Sequence, residues 1–194
     1  MCLVPKQAPD FTTKAVLGDN SVGELTLSAY KGKYVLLFFY PLDFTFVCPS
    51  ELIAFDKKLD EFKARNCEVI GVSVDSEFTH LAWKNTPRNQ GGVGMLRYPM
   101  VADITKNISR AYGVLLGDAV ALRGLFLIDR DGVVRHQIVN DLPLGRSVDE
   151  ALRMLDALQH FEAHGEVCPA NWRRGEAAMA PTAEGVAQYL AEHA

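Results

Sequence analysis

Two short apolar runs, residues 34–40 (YVLLFFY) and 69–74 (VIGVSV), set the first constraint on what this chain can fold into. Each is rich in branched or aromatic side chains and bounded by Gly, Pro or Asp. That is the pattern of a strand buried on both faces rather than one wet on alternate residues. Between them Leu52, Phe55, Leu59 and Phe62 recur at helical spacing, with Asp56, Lys57, Asp60, Glu61 and Lys63 largely on the opposite, wet side of one helix. Strand, helix, strand in that order predicts a parallel crossover, because parallel neighbours cannot be joined by a tight hairpin.

Further along, residues 124–139 (GLFLIDRDGVVRHQIV) read as two strands joined at Asp131-Gly132, an antiparallel addition to the same sheet. A helix opens at Ser147, with Asp149 and Glu150 in its first turn and Val148, Leu152, Leu155 and Leu158 on one side, and stops before Gly165. The fold class is therefore α/β, a central mixed sheet flanked by helices. Residues 1–164 form the main domain. Residues 165–194, where the composition turns to Pro, Ala, Gly and charge, form a C-terminal extension ending in an amphipathic piece. Residues 85–94 (NTPRNQGGVG) read as a loop bent at Gly91, Gly92 and Gly94 and match neither a dinucleotide-binding nor a P-loop pattern.

A net charge of -4 without a sustained basic block gives no electrostatic reason to expect nucleic acid or anionic membrane as a partner. The first residues lack a basic segment followed by an apolar one, and no stretch reaches the length of a membrane span. Four cysteines (Cys2, Cys48, Cys67, Cys168) are too sparse for a secreted disulfide scaffold. The expectation is a cytoplasmic protein with catalytic or buried thiols.

Cys48 is the residue that carries chemistry. It follows the first strand and precedes Pro49, which suits the first position of a helix because its fixed φ fits and its missing N–H has no partner there. At such a place unpaired amides and the positive end of the helix dipole stabilise a thiolate. Thr45, three residues earlier, is within reach of the sulfur, and Pro41 closes the strand and shields the pocket from bulk water. A cation would complete the site.

Pro41, Thr45 and Cys48 stand in the P-x-x-x-T-x-x-C spacing of peroxiredoxins, and GEVCPANW around Cys168 resembles the resolving-cysteine segment of their typical two-cysteine group. The resemblance runs from about Pro5 to Gly175 and includes VSVDSEFTHLAWKNTPR, ALRGLFLID and DLPLGRSVDEALR. It implies a thioredoxin-like fold, and Arg123 as the catalytic arginine, a residue type whose planar guanidinium stays charged and can face both sulfur and peroxide oxygen. It further implies a thiol-dependent peroxidase that reduces hydrogen peroxide and small organic hydroperoxides. Cys48 becomes a sulfenic acid, then a disulfide with Cys168 of the other subunit of a homodimer, recycled by thioredoxin or a flavoprotein disulfide reductase. Dimers assembling into a decamer are implied too, and no cofactor or metal.

Glu51, Arg146 and Trp172 also match recurring residues, the first two as groups that orient Arg123. Cys67 leads into a buried strand and reads as inert core, and Cys2 as part of a frayed terminus. Trp83 and Phe78 read as core or subunit contacts, without a choice between them. Peroxide-sensitive relatives carry a G-G-L-G loop and a C-terminal Tyr-Phe that pack over the catalytic helix. Here the places read Gly91-Gly92-Val93-Gly94 and Tyr189-Leu190, which predicts a looser lid if those sites are buried. Three rival functions have specific weaknesses or tests. A disulfide exchanger needs a C-x-x-C, but Glu51 stands three residues after Cys48. A zinc site has His164 and Cys168 but no second ligand pair. A holdase chaperone would keep its activity in Cys48→Ser.

Overall fold

The strands of the chain, seen in a computed structural model that describes residues 1–193, are β1 (Thr12–Val16), β2 (Val22–Thr26), β3 (Tyr34–Phe39), β4 (Cys67–Ser73), β5 (Met100–Ala102), β6 (Leu115–Leu116), β7 (Val120–Ala121), β8 (Arg123–Ile128) and β9 (Val134–Asn140). Seven form one mixed sheet in the order β2-β1-β5-β4-β3-β8-β9, and β6 and β7 make a separate ribbon. The two apolar runs are β3 and β4. They pair in parallel, with Tyr34 opposite Cys67 and Phe39 opposite Val72, as the crossover pattern predicts. All six residues of β3 are buried, which is why the run has no polar alternation.

β8 runs antiparallel to β3 on its other side, and β9 closes that edge. The hairpin between β8 and β9 turns at Gly132, whose φ of 84° is open to glycine, while the Asp129 carboxylate accepts the amides of Asp131 and Val133 at 2.9 Å each. One face of the sheet packs around Leu37, Phe39, Ile70, Val72, Val101, Phe126 and their neighbours.

The helix expected between β3 and β4 is two helices. α1 (Cys48–Lys57) ends and α2 (Leu59–Lys63) begins at Lys58, whose φ of -98° and ψ of 3° depart from the helical path. Leu52, Phe55, Leu59 and Phe62 are all buried, as their spacing predicts. Asp56 is the exception on the polar side, at 9% exposure, because Arg97 satisfies its carboxylate. α3 (Glu77–Asn85) starts on Ser76, whose hydroxyl accepts from the Thr79 amide, and α4 (Asn107–Ala111) follows β5. The loop after α3 folds so tightly that a Cβ on Gly92 would lie 1.8 Å from the Thr86 carbonyl oxygen. Trp83 is core, its indole N–H donating to the Gly91 carbonyl at 2.8 Å, whereas Phe78 on the same helix is exposed.

Packing divides the chain into two compact units, Met1–Val148 and Asp149–Ala194. α5 (Val148–His164) begins at the boundary and α6 (Ala183–His193) ends the second unit. Within that unit Val167 and Met179 pair as an isolated antiparallel bridge, and Arg153 donates to the Trp172 carbonyl at 3.0 Å. Cys2 is exposed, but its surroundings are not frayed. Gln137 on β9 accepts the Leu3 amide at 2.7 Å and donates to the Met1 carbonyl at 3.2 Å.

Candidate active site

β3 delivers the chain to Pro41, which is buried, and residues 41–47 then turn back to start α1 at Cys48. Val47 is the N-cap, with no side-chain cap, so Cys48 occupies the first helical position and Pro49 the second, one place later than expected. Phe44 in this loop has a φ of 53°, a left-handed conformation that an aromatic residue adopts only under constraint. The constraint is visible. Its ring lies 5.7 Å from that of Trp83, and the preceding Asp43 is anchored on both main and side chain. The Asp43 amide donates to Asp75 at 2.8 Å, and its carboxylate takes the Tyr40 hydroxyl at 2.8 Å and His80 Nδ1 at 2.7 Å. His80 Nε2 faces the Val101 carbonyl at 3.1 Å, an acceptor only, so that nitrogen is the donor of the pair. Burial pushes the Asp43 carboxyl up even though His80 and Tyr40 pull it down.

The Cys48 sulfur is fully buried. Thr45 Oγ1 is 2.9 Å from it and 2.8 Å from the Leu42 carbonyl. A hydroxyl has one hydrogen, so these contacts alternate with the state of the sulfur. A thiol donates to Thr45 while Thr45 donates to Leu42, whereas a thiolate receives the Thr45 hydrogen. Arg123, the first residue of β8, brings Nη1 to 3.5 Å from the sulfur. Its Nε donates to the Leu142 carbonyl at 2.7 Å and its Nη1 to Glu51 at 2.7 Å.

Glu51 is the centre of a buried ion network. Besides Arg123 it accepts the Arg146 main-chain amide at 2.8 Å, Arg146 Nε at 2.8 Å and Arg146 Nη2 at 2.9 Å. Burial pushes the Glu51 carboxyl up, but the hydrogen bonds and charge of Arg146, with the charge of Arg123, hold it below its ordinary value. Arg146 also donates to the Gly124 carbonyl and stacks its guanidinium 5.3 Å from the Phe38 ring centre. Two guanidinium groups against one carboxylate leave one positive charge in excess beside the sulfur, which is the charge a thiolate balances.

Of the residues that the sequence singles out, Thr45, Cys48 and Arg123 therefore meet directly, Pro41 opens the same loop, and Glu51 and Arg146 hold Arg123 as their types suggest. The carbonyls of Leu42, Leu142 and Gly124 also take part. No sequence signal marks them, because every residue has a carbonyl and only the fold decides that the one of Leu42 takes the Thr45 hydroxyl and those of Leu142 and Gly124 take the arginines. Cys168 lies in the second unit, half-buried, its thiol 3.6 Å from the Ala157 carbonyl. Burial pushes this thiol up, the Arg153 charge pulls it down, and Glu166 adds to the rise. Cys67 is buried in β4, and burial pushes its thiol far above its ordinary value, in keeping with inert core. Val93 is buried, but Leu190 is 51% exposed and α6 buries none of its residues. The packing loss expected from a smaller residue at position 190 does not apply there, because an exposed side chain has little packing to lose.

The sequence profile of the AhpC/TSA family matches residues 4–137, and that of the C-terminal domain of 1-Cys peroxiredoxin matches residues 157–192, which include Cys168. Alkyl hydroperoxide reductase C of Helicobacter pylori strain J99 is 61% identical over 193 residues, covering 98% of each chain. Peroxiredoxin-2 of Mus musculus is 56% identical over 191 residues, covering 98% of this chain and 96% of its own. The reduced 2-Cys peroxiredoxin of Plasmodium vivax superposes with a TM-score of 0.97 at 58% identity, covering 98% of this chain and all of the other. A sulfur set at a helix start against a hydroxyl and a guanidinium, on a chain related along its whole length to these proteins, leads to one conclusion: the chain belongs to the AhpC/TSA family of peroxiredoxins and is a thiol-dependent peroxidase.

Proposed function

We propose that Cys48 is the peroxidatic nucleophile and Cys168 the resolving thiol of a cycle that reduces hydrogen peroxide and small organic hydroperoxides. The observation that carries this reading is the position of the Cys48 sulfur, 2.9 Å from Thr45 Oγ1 and 3.5 Å from Arg123 Nη1 at the first turn of α1. The thiolate attacks one peroxide oxygen, the O–O bond breaks, and water or an alcohol leaves with the other oxygen. The sulfur keeps a hydroxyl as sulfenic acid. Arg123 and Thr45 donate to the oxygens on which charge develops, and they are already in place, so little reorganisation is needed as the bond breaks. The partner subunit's Cys168 then attacks the Cys48 sulfur, hydroxide leaves as water, and a dithiol reductant, thioredoxin or a flavoprotein disulfide reductase, reopens the disulfide. In this division of labour residues 1–164 carry the peroxide chemistry and residues 165–194 the resolving cysteine. The thiols must be returned to the reduced state, which suits the cytoplasm.

Two features support assembly. β8 is the one strand of the sheet that β9 pairs with, and on its other side the N-terminal segment meets its start, where the Val134 amide donates to the Lys6 carbonyl at 2.9 Å, so the rest of that edge is where the same strand of a second copy would pair. Phe44, Phe46 and Phe78 are 51%, 97% and 71% exposed, aromatic area that dimers would cover on joining into a ring, with a decamer as the closed form.

The test is peroxide consumption with purified thioredoxin and thioredoxin reductase, beside a flavoprotein disulfide reductase, for wild type, Cys48→Ser and Cys168→Ser. Cys48→Ser loses all turnover, and Cys168→Ser reduces one equivalent of peroxide and stops. On a non-reducing denaturing gel only the oxidised wild type runs as a covalent dimer. Turnover above a few per cent in Cys48→Ser would move the nucleophile elsewhere, and a monomeric oxidised wild type would place the disulfide within one chain.

A further inference from the structure

Cys48 is buried while α1 is intact, and a thiol carried on a polypeptide, far bulkier than a small peroxide, cannot bring its Cβ and main chain up to that sulfur. A disulfide brings its two Cα atoms within about 7 Å, so the start of α1 has to unwind before any resolving cysteine can bond there. The cost of that unwinding depends on what holds α1 from outside. At its start the holders are the arginines on Glu51, already described. The rest of the helix is held by two consecutive residues, Arg97 and Tyr98, which lead into β5.

Tyr98 is buried, and its hydroxyl donates to the Leu52 carbonyl at 2.8 Å, one turn after Cys48. Its ring meets Phe38 edge-on at 5.9 Å, and Phe38 in turn stacks on Phe55 of α1 at 4.4 Å. Burial pushes the Tyr98 hydroxyl well above its usual range, so it remains a donor at any working pH. Arg97 holds the far end. Its amide donates to Asp56 Oδ1 at 2.8 Å, Nη2 to the Asp56 carbonyl at 2.6 Å, and Nη1 to both Asp60 oxygens at 3.1 and 3.2 Å. The last carbonyls of a helix have no partner within it, and an acidic residue there opposes the dipole. A guanidinium that caps the carbonyl and pairs the carboxylate removes both penalties. The scaffold is firm, because the Pro99 carbonyl that follows accepts the Gly71 amide of β4 at 3.0 Å.

We propose that Tyr98 and Arg97 are positioning residues that hold the catalytic helix wound, and that this two-point clamp sets how the Cys48 sulfenic acid divides between disulfide formation and a second oxidation. The inference rests on the peroxidase cycle proposed above. In the wound helix the sulfenic acid remains beside Thr45 and Arg123, where a second peroxide converts it to sulfinic acid and releases water or alcohol. In the unwound helix it meets the resolving thiol and loses water. A tighter clamp lengthens the first state. The hydrogen bonds of the two residues run to Leu52, Asp56 and Asp60 rather than to the reacting atoms, so the clamp acts on the second step and not on the first.

The experiment is rapid mixing of the full chain with one or several equivalents of hydrogen peroxide, followed by acid quench and intact mass, for wild type, Tyr98→Phe, Arg97→Gln and Arg97→Lys. Tyr98→Phe keeps the ring and removes one donor. It should leave the rate of the first oxidation within about twofold and speed disulfide formation by about three- to tenfold, the range one hydrogen bond spans. The sulfinylated fraction per turnover should fall by a similar factor. Arg97→Gln should act in the same direction, and Arg97→Lys should fall between, because it keeps charge but not the fork. A general loss of packing would slow the first oxidation as well. Equal or slower disulfide formation in Tyr98→Phe and Arg97→Gln overturns the clamp while leaving the cycle intact. A wild type that forms no Cys48–Cys168 disulfide overturns the cycle, and the clamp with it.

Discussion

Glu51→Gln is a nearly isosteric change that tests whether the buried network, rather than Arg123 alone, makes the site. Glu51 accepts four hydrogen bonds, one from Arg123 and three from Arg146. In the glutamine the oxygen can keep the Arg146 amide and Nε, but the new NH2 faces Arg123 Nη1 and Arg146 Nη2, donor against donor. Two guanidinium groups, with side chains 4% and 0% exposed, then share no counter-charge. Breaking a buried pair from one side costs about 3–5 kcal/mol, which for a chain of this length lowers the melting temperature by about 6–20 °C. The Arg123 donor at the sulfur is released at the same time. Losing one charge-assisted hydrogen bond, worth about 1.5–3 kcal/mol, slows the second-order reaction with peroxide by about ten- to a hundredfold. The sign of the pH effect follows from the depressed Glu51 carboxyl. Its contribution to stability is fully present above the unfolded value near ~4.3 and is lost as pH falls through the lower folded value. Wild type therefore has an acid-labile increment that Glu51→Gln lacks. Calorimetry from pH 3 to 7 and stopped-flow oxidation are the assays. A melting temperature within 2 °C of wild type together with an oxidation rate within about twofold would refute the reasoning.

Arg123→Lys keeps the charge but cannot reach the sulfur, Glu51 and Leu142 together, so the second-order rate with peroxide should fall at least about tenfold with folding intact, and a rate equal to wild type would remove Arg123 from the site. Burial pushes the Cys168 thiol up, so disulfide formation, which uses its thiolate, should accelerate with rising pH with an inflection above the usual ~8.5. Quenched-flow mass measurement across pH 6–10 checks this, and a rate flat above pH 8 would contradict it.

The sequence by itself determines four strands of the sheet and the helix start at which Cys48 stands. β3 and β4 are legible because a strand buried on both faces must be apolar at every position, and Cys48 is legible because Pro49 marks a helix start beside it. Thr45 is legible from its three-residue offset, but the loop that aims it is held by Asp75, His80 and Trp83, which are distant in sequence. The break at Lys58 and the burial of Asp56 are not legible. The burial of Asp56 depends on Arg97, which lies about forty residues away along the chain and leads into β5. Glu51 and Arg146 carry types that suggest a pair, but the sequence does not say that one carboxylate serves two arginines, nor which carbonyls take their remaining hydrogens. Local spacing constrains residues a turn or two apart. Long-range partners are chosen by the folding of the sheet, and only the tertiary structure brings Arg123 of β8, Arg146 and Tyr98 to the helix that Cys48 begins.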